Sequence, residues 1–303
     1  MKTYNYKEAI LIGGDGFIGT NLNNYLNKKK IKTYVITKNK NPKKNQIYFK
    51  NISKIKKINK KKSYIFYLVG RSLPNSDFFN FQRDLNHEIK TLLTYLKIFS
   101  NSRSKWIFVS SGGTVYGNTN VKNKENFFDL KPISYYGLIK MLSEKIFYFF
   151  YNLNKINFSI ARLSNPYGPG QLNNKKHGFI INLLNAHLKK KKFNLYGNKK
   201  AIRDFIFIDD ACEGIYKVAK YGKNLETYNI GFSKGYSLEN IIERSKKLLK
   251  NNLKINYRRK LNLFDVNQSI LDISKAKKEL KFKPFIGIEQ GLKKTYKYLK
   301  NFN

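Results

Sequence analysis

Along the first half of the chain, short apolar runs alternate with longer stretches in which apolar residues recur every three or four positions. The longer stretches predict helices at 17–27, 87–99 and 134–151. The short runs are rich in β-branched and aromatic side chains, which predicts buried strands at 9–12, 33–37, 64–69, 106–110 and 158–163. Alternation of strand and helix is typical of β-α-β units, so we expect an α/β fold with a doubly wound parallel sheet.

After Asn165 this rhythm changes at a Pro-Tyr-Gly-Pro-Gly turn, and shorter strands and helices follow. The second half has no internal repeat and no second glycine-rich motif. We therefore expect a larger domain over 1–165 and a smaller C-terminal α/β substrate domain over 166–303. The two are expected to be interleaved, with segments near 201–230 and 263–275 returning to the first domain.

Three glycines follow the first predicted strand and open the first predicted helix. Gly13, Gly16 and Gly19 form a G-x-x-G-x-x-G motif. Glycine lets the backbone turn tightly and approach a pyrophosphate closely, and the N-terminus of a helix attracts its negative charge. The next predicted strand follows at the expected distance, so the sequence predicts a dinucleotide-binding domain of the Rossmann type.

The end of the second predicted strand leaves the choice of dinucleotide open. An acid at this point usually holds the adenosine ribose hydroxyls in NAD-binding domains. The segment here reads Ile-Thr-Lys-Asn-Lys, with no acid. Thr37 and Lys38 could instead contact a 2′-phosphate, or Lys38 is one more surface lysine of a lysine-rich chain. NAD and NADP are both compatible with these residues.

Tyr136 and Lys140 lie four residues apart in a predicted helix and so share one face, about one turn from each other. An ammonium at that distance favours the phenolate form of the tyrosine. A phenolate is a plausible general base for a sugar or alcohol hydroxyl. Beside a dinucleotide that accepts hydride, the pair indicates an NAD(P)-dependent enzyme.

The composition limits the partners of the protein. The 303-residue chain has a formal net charge of +41, which is typical of proteins that bind nucleic acid or anionic membranes. Only eight of the 60 basic residues are arginine, the residue suited to bidentate phosphate and base contacts, so we expect no specific nucleic-acid binding. No apolar run approaches the ~20 residues of a membrane span, which predicts no membrane insertion. The lone Cys212 indicates a cytoplasmic location, and no Cys/His cluster has metal-ligand spacing.

Further motifs occur in order along nearly the whole chain. They are the segments 13–19, 66–70, 110–117, 132–140, 162–171, 203–210 and 271–276, together with Asn86 and Glu144. This set resembles the extended short-chain dehydrogenase/reductase family, and within it the nucleotide-sugar 4-epimerases of the UDP-glucose 4-epimerase type. The resemblance implies NAD-dependent 4-epimerisation of a nucleotide-linked hexose such as UDP-glucose or UDP-galactose, in carbohydrate metabolism and polysaccharide biosynthesis.

The resemblance also implies roles for the catalytic pair. Tyr136 would take the proton from the sugar 4-hydroxyl as hydride moves to the nicotinamide, and Lys140 would hold the nicotinamide ribose. The 4-keto intermediate would rotate, hydride would return to its other face, and NAD would stay tightly bound. Two alternatives remain at this point: an NADP-dependent 4-keto nucleotide-sugar reductase or related oxidoreductase, and a non-catalytic dinucleotide-sensing binding protein.

A third catalytic group is less easily placed. Members of the family usually carry a serine or threonine at the position of Gly112, where its hydroxyl bonds the substrate oxygen. We expect Thr114, and after it Ser111, to supply that hydroxyl, and a backbone N–H or a water is a further alternative. The 4,6-dehydratases of the family carry an Asp-Glu pair where this chain has Gly113 and Thr114, so elimination lacks its acid and base.

The remaining expectations also follow from the resemblance. Asn165 and Arg203 match residues that contact the substrate diphosphate, and Arg258 or Arg259 lies where a second phosphate-binding arginine is expected. The two longest predicted helices resemble those that join two subunits in a four-helix bundle, which predicts a homodimer. The residues expected to bind the cofactor are Gly13, Gly16, Phe17, Ile18, Gly19, Thr37, Lys38, Asn51, Ile52, Leu68, Val69, Gly70, Ser110, Tyr136, Lys140 and Leu163.

Overall fold

The computed structural model describes residues 3–58, 62–70, 78–125, 130–171, 178–250, 253–258 and 266–301. The strands of these ranges are β1 (Glu8–Ile12), β2 (Lys32–Thr37), β3 (Gln46–Tyr48), β4 (Tyr64–Tyr67), β5 (Lys105–Ser111), β6 (Asn157–Leu163), β7 (Asn165–Tyr167), β8 (Phe193–Tyr196), β9 (Ile202–Phe207), β10 (Glu226–Ile230), β11 (Gly235–Ser237), β12 (Ile255–Arg258) and β13 (Gln268–Ser269). The helices are α1 (Phe17–Lys28), α2 (Ile52–Ile58), α3 (Phe78–Ile98), α4 (Tyr135–Asn154), α5 (Phe179–Leu188), α6 (Ile208–Tyr221), α7 (Leu238–Leu248), α8 (Ser274–Leu280) and α9 (Ile288–Lys300).

The central sheet has seven strands in the order β10-β6-β5-β4-β1-β2-β3, and every pairing within it is parallel. The chain builds β2 and β3 on one side of β1 and then crosses to build β4, β5 and β6 on the other side. Such a switch in strand order opens a crevice at the carboxyl ends of the strands. The observed sheet confirms the predicted doubly wound α/β fold.

Two apolar layers cover the faces of this sheet. Alternate residues of β5 show the division: Ile107 lies in the layer that includes α1 and α6, whereas Trp106 and Phe108 lie in the layer that includes α3 and α4. Phe147 of α4 is fully buried, with its ring centroid 5.7 Å from that of Trp106 and 5.2 Å from that of Phe108. This aromatic packing fixes α4 on the sheet, and α4 carries the tyrosine and lysine of the site.

A smaller sheet adjoins the crevice. Its central strand β9 pairs with β11, β13 and β7. The parallel pairing of β7 with β9 sets Asn165 opposite Phe205, two residues from Arg203. Strand β10 of the second half pairs with β6 and extends the central sheet. The candidate substrate residues therefore lie beside the carboxyl ends of the central strands.

Helix α3 begins at Phe78, before the position predicted from the apolar pattern at residue 87. Its early turns carry the acidic Asp84 and Glu88, and both side chains are buried. Phe81 stacks on Tyr135 of α4 with 4.6 Å between the ring centroids. Buried carboxylates interrupt an apolar stripe, which is why the sequence pattern places the start of the helix too late.

Across the described ranges, no helix combines the length and the apolar character that crossing a bilayer requires. The same ranges contain no group of three or more His, Cys, Asp or Glu side chains placed to hold a metal ion.

Candidate active site

A cleft of about 650 Å³ opens at the carboxyl ends of β1, β4, β5 and β6. Its walls come from α1, α4, the turn after β6 and the smaller sheet around β9. The cleft brings together most of the residues that the sequence predicted for catalysis and binding. They are Gly13, Gly16, Phe17, Ile18, Gly19, Leu68, Gly70, Ser110, Ser111, Thr114, Tyr136, Lys140, Leu163, Asn165 and Arg203.

The glycine loop lies at one end of the cleft, and its packing leaves no space for a side chain at Gly13 or Gly19. Gly13 adopts φ +81°, and a Cβ there would lie 3.0 Å from the backbone of Leu68 and Val69. A Cβ on Gly19 would lie 2.5 Å from the Cα of Gly14, so the first turn of α1 rests directly on the loop. These close approaches require glycine.

The N-terminus of α1 has the features of an anion-binding site. Its N-cap, Gly16, supplies no side-chain hydrogen bond, and the first turn contains no acidic residue. The first amides of the helix therefore remain available, and the helix dipole favours negative charge at this end. These features fit the pyrophosphate of a dinucleotide, which the loop and the first turn of α1 would hold.

The catalytic pair lies on α4, whose start is fixed by a cap. The Ser134 hydroxyl accepts a hydrogen bond from the backbone N–H of Gly137 at 3.1 Å. Ser134 is thus the N-cap of α4, two residues before Tyr136. Gly137 has space for no side chain, because a Cβ would lie 2.8 Å from the Thr114 carbonyl oxygen. Helix α4 thus approaches the loop after β5 closely, which brings Tyr136 to the cleft.

Three groups set the position of the Lys140 ammonium. It donates a hydrogen bond to the Val69 carbonyl at 2.9 Å and lies 3.7 Å from a carboxylate oxygen of Glu88. It also lies 5.7 Å from the centre of the Tyr136 ring. Lys140 is 4% exposed and Glu88 is 2% exposed, so this charge pair is held away from bulk water. Nothing in the sequence pattern around Glu88 indicates this contact.

Ser111 and Thr114 line the same cleft as Tyr136. Gly112 does not face the cleft: a Cβ there would lie 2.7 Å from a methyl group of Leu271. The Thr114 hydroxyl oxygen is shielded from solvent and has no hydrogen-bond partner among the described residues. Ser111 is partly exposed on the cleft wall at the end of β5. Of the two side chains, Ser111 presents the more accessible hydroxyl.

A buried hydrogen-bond network lies behind the cleft wall that carries Ser111 and Thr114. The Glu144 carboxylate accepts from Arg162 Nη2 at 2.7 Å and Nε at 3.1 Å, and both side chains are fully buried. Ser110 donates to the same carboxylate at 2.5 Å, and Arg162 donates to the Tyr116 hydroxyl at 2.9 Å. Burial raises the pKa of Tyr116 to about 12 against the opposing effect of Arg162, so Tyr116 is a neutral phenol. The network joins α4 to the ends of β5 and β6.

Asn165 and Arg203 form the opposite wall of the cleft. Asn165 donates to the Asp204 carbonyl at 3.0 Å, and Arg203 donates to the Ile202 carbonyl at 3.0 Å. The buried Asp204 carboxylate accepts from the backbone N–H groups of Phe232, Ser233 and Leu271. Burial raises the pKa of Asp204 to about 6, against the opposing effect of these hydrogen bonds. Asp204 anchors the strand that carries Arg203.

Some predicted cofactor and substrate residues do not line the cleft. The Thr37 hydroxyl is buried and accepts from the Asn39 N–H at 2.9 Å, while Lys38 is exposed. The Asn51 side chain accepts from the Lys54 N–H at 3.1 Å at the start of α2, directly before Ile52. Val69 contributes its carbonyl to Lys140. Arg258 lies at the end of β12, and Arg259 lies outside the described residues.

The cleft also contains residues that the sequence analysis did not select as site residues. Gln171, Gly178 and Phe179 line the cleft, together with Phe205 and Leu238. No spacing or residue type distinguishes them from ordinary core and loop positions. Their position in the cleft follows from the folded structure and not from the sequence pattern.

Comparison with known proteins agrees with this geometry. Residues 9–231 match the sequence model of the NAD dependent epimerase/dehydratase family. The dTDP-4-dehydro-6-deoxyglucose reductase of Escherichia coli is 29% identical over 238 residues, which are 78% of this chain and 74% of the relative. The UDP-glucuronate 4-epimerase of Thermodesulfobacterium geofontis is 27% identical over 241 residues, which are 78% and 72% of the two chains.

A solved structure extends the similarity to the whole fold. The UDP-glucose 4-epimerase of Thermotoga maritima, determined with UDP-glucose, matches with a TM-score of 0.87 and 25% identity, over 97% of this chain and 99% of that chain. The family match runs from β1 to the end of β10 and so includes the glycine loop, the catalytic pair and Arg203. The chain belongs to the NAD-dependent epimerase/dehydratase family of enzymes, in the extended short-chain dehydrogenase/reductase group, with NAD as its cofactor.

Proposed function

We propose that the protein catalyses 4-epimerisation of a nucleotide-linked hexose of the UDP-glucose/UDP-galactose type. The observation that carries the proposal is the position of Tyr136 and Lys140 in the same cleft as the glycine loop. NAD supplies, when bound, the acceptor for the C4 hydride, which returns to the opposite face of the 4-keto sugar. Tyr136 removes the proton of the 4-hydroxyl as the hydride leaves and gives it back when the hydride returns.

The surroundings of Tyr136 support this role. The Lys140 ammonium, one helical turn away, lies 5.7 Å from the centre of the Tyr136 ring, and the Val69 carbonyl and Glu88 hold it in place. Asn165 and Arg203 on the opposite wall supply an amide and a guanidinium for a diphosphate. The sugar would then lie between these walls, with its C4 near the tyrosine.

The residues after β5 distinguish epimerisation from dehydration. A dehydratase needs a general acid and a general base to eliminate water. Gly113 and Thr114 occupy the corresponding positions and provide neither. An epimerase needs only the tyrosine and a keto sugar that can turn, so Gly113 and Thr114 favour epimerisation over elimination.

A substrate panel tests the proposal directly. The purified protein is incubated with UDP-, dTDP- and GDP-hexoses, and formation of the 4-epimer is followed by chromatography without added dinucleotide. We expect interconversion of at least one UDP-hexose pair with no net change in NADH absorbance. The similar Thermotoga maritima protein is a UDP-glucose 4-epimerase whose structure was determined with UDP-glucose, so UDP-glucose is the first substrate to test.

A one-way reductase is the second candidate, because the similar Escherichia coli protein is a dTDP-4-dehydro-6-deoxyglucose reductase. A reductase needs the same tyrosine and lysine but consumes one reduced dinucleotide, in particular NADPH, for each sugar. Stoichiometric loss of NADPH absorbance with a 4-keto sugar, together with no epimer formation, would replace the epimerase proposal. A third reading, a dinucleotide sensor without activity, requires that neither assay shows turnover.

We predict that Ser111, and not Thr114, donates the hydrogen bond to the reacting oxygen. Ser111→Ala is expected to lower kcat about 10²- to 10³-fold, because loss of a positioned donor at a reacting oxygen costs on this scale. Thr114→Val is expected to cause a loss at least tenfold smaller, since the hydroxyl that it removes is buried and unpartnered. Steady-state rates of the two variants decide the question. A greater loss for Thr114→Val would assign the role to Thr114.

We also propose a homodimer formed through α3 and α4. The outer faces of these helices expose Leu93, Phe149 and Leu153 at 39%, 59% and 62%, and the last two lie one turn apart on α4. Exposed apolar side chains on adjacent long helices are typical of a subunit interface.

If this interface forms, one substitution in it should halve the mass of the particle in solution. Wild type at micromolar concentration should scatter light as a particle of twice the 35.6 kDa chain mass, and Phe149→Glu should scatter as a monomer. Phe285→Glu is the matched control, because Phe285 is equally exposed at 65% but lies outside α3 and α4. A monomeric wild type, or dissociation by both substitutions, would contradict this interface.

A further inference from the structure

The structure places a carboxylate of the glycine loop at the carboxyl end of β2, a strand end that has no acid of its own. The segment 36–40 at the end of β2 contains no acid. Asp15, in the glycine loop, accepts a hydrogen bond from the Lys38 backbone N–H at 3.1 Å through its Oδ2 atom. The Asp15 carboxylate therefore lies against the carboxyl end of β2, where an acid holds the ribose hydroxyls of NAD in other Rossmann domains.

Packing of the loop keeps Asp15 at this point. A Cβ on the preceding Gly14 would lie 2.8 Å from the Val35 side chain and 3.0 Å from that of Leu11, so the loop rests directly on β1 and β2. The Thr37 hydroxyl is engaged in a local turn with the Asn39 N–H and is buried. The end of β2 therefore offers a backbone N–H to Asp15 and no hydroxyl of its own to a ligand.

We propose that Asp15 selects NAD over NADP, by accepting hydrogen bonds from the adenosine ribose hydroxyls and repelling a 2′-phosphate. Asp15 is exposed, its Oδ1 atom accepts no hydrogen bond from the described residues, and none of those residues forms an ion pair with it. A free, charged oxygen is thus available to a ribose hydroxyl, and charged acceptors form the stronger hydrogen bonds.

Lys38 acts in the opposite direction. Its exposed ammonium is next to the same strand end and would attract a 2′-phosphate. A 2′-phosphate carries close to two negative charges at neutral pH, and its repulsion by a carboxylate within hydrogen-bonding range outweighs the attraction of a mobile, hydrated lysine. The carboxylate is fixed by its hydrogen bond to the backbone, so Asp15 decides the preference.

A competition experiment measures the preference without turnover. Wild type and Asp15→Asn are equilibrated with an equimolar excess of NAD and NADP, separated from free dinucleotide, heated to release what is bound, and the two dinucleotides are quantified by chromatography. Asparagine preserves an acceptor for the Lys38 N–H and removes only the charge. We expect wild type to hold NAD, and the ratio of bound NADP to bound NAD to rise roughly tenfold or more in Asp15→Asn.

Asp209→Asn is the matched control, because it removes one exposed carboxylate at the start of α6, away from β2. Its bound ratio should equal that of wild type. Asp15→Ser, which also retains a small acceptor, should shift the ratio in the same direction and provides a second variant should Asp15→Asn fold poorly. An unchanged ratio in folded Asp15 variants, or a wild type that prefers NADP, would overturn the proposal. The inference concerns the cofactor of the proposed reaction, and because bound dinucleotide is read directly, loss of epimerase activity would be a separate outcome.

Discussion

Replacement of Tyr136 by phenylalanine is expected to lower kcat for 4-epimerisation by about 10²- to 10⁴-fold, the usual range for a general acid–base group. The substitution removes one hydroxyl and leaves the ring in place, so the cleft keeps its shape. Lys140 and the glycine loop are unaffected, and the purified variant should therefore still contain NAD. Initial rates with the active nucleotide sugar, together with the dinucleotide content of the protein, measure both expectations.

The chain offers a matched control for this experiment at the next position. Tyr135→Phe also removes one tyrosine hydroxyl from the first turn of α4, but Tyr135 stacks on Phe81 and does not line the cleft. Its kcat should stay within about threefold of wild type. If Tyr136→Phe retained more than a tenth of the wild-type rate, Tyr136 would not be the proton acceptor, and the proposed mechanism would fall.

The parts of this fold that the sequence predicts well are those with simple periodicity. The inner strands β5 and β6 of the central sheet are buried along almost their whole length, so runs such as residues 106–110 and 158–163 are short and largely apolar. The glycine spacing also constrains the backbone directly, because Gly13 and Gly19 stand where a side chain has no space. The division into domains at residue 165 stays a prediction, since β10 from the second half extends the first sheet.

The parts that the sequence does not predict depend on contacts between distant residues. Glu88 is an acid in a helix and would be expected to face water, but it is buried 3.7 Å from the Lys140 ammonium. The charge of that lysine, which lies on another helix, favours this burial. The Asp15–Lys38 hydrogen bond is similar: the acid expected at the end of β2 comes from a loop 23 residues earlier.

Gly112 shows that a motif match does not reveal the direction in which a side chain points. The motif alignment marks it as the missing hydroxyl position, but the direction in which residue 112 faces depends on the local path of the backbone. In the structure that direction points to the Leu271 side chain, and Ser111 remains on the cleft wall. A Cβ at residue 112 would lie 2.7 Å from a methyl group of Leu271, so glycine fits this position, and the role of Ser111 stays a prediction.

The buried pair below the catalytic wall leads to the largest expected effect on stability. Glu144→Gln should lower the free energy of unfolding by about 3–5 kcal/mol, because the fully buried Arg162 guanidinium would lose its counter-charge. Urea denaturation followed by tryptophan fluorescence measures this change. The single tryptophan, Trp106, is buried on β5 against Phe147 of α4, so its emission reports on the elements that the pair joins.

We expect the loss of stability in Glu144→Gln to come from the burial of the ion pair. An exposed ion pair elsewhere in the chain provides the comparison. Lys199 and Glu239 lie 2.6 Å apart, about as close as Arg162 and Glu144 at 2.7 Å, but their side chains are 46% and 34% exposed. Glu239→Gln should therefore cost far less stability than Glu144→Gln. A double variant, Glu144→Leu with Arg162→Met, should recover much of the stability, since it leaves no unpaired charge inside. Equal losses for Glu144→Gln and Glu239→Gln would mean that water reaches the Arg162 site, and the network would then not hold α4 in place.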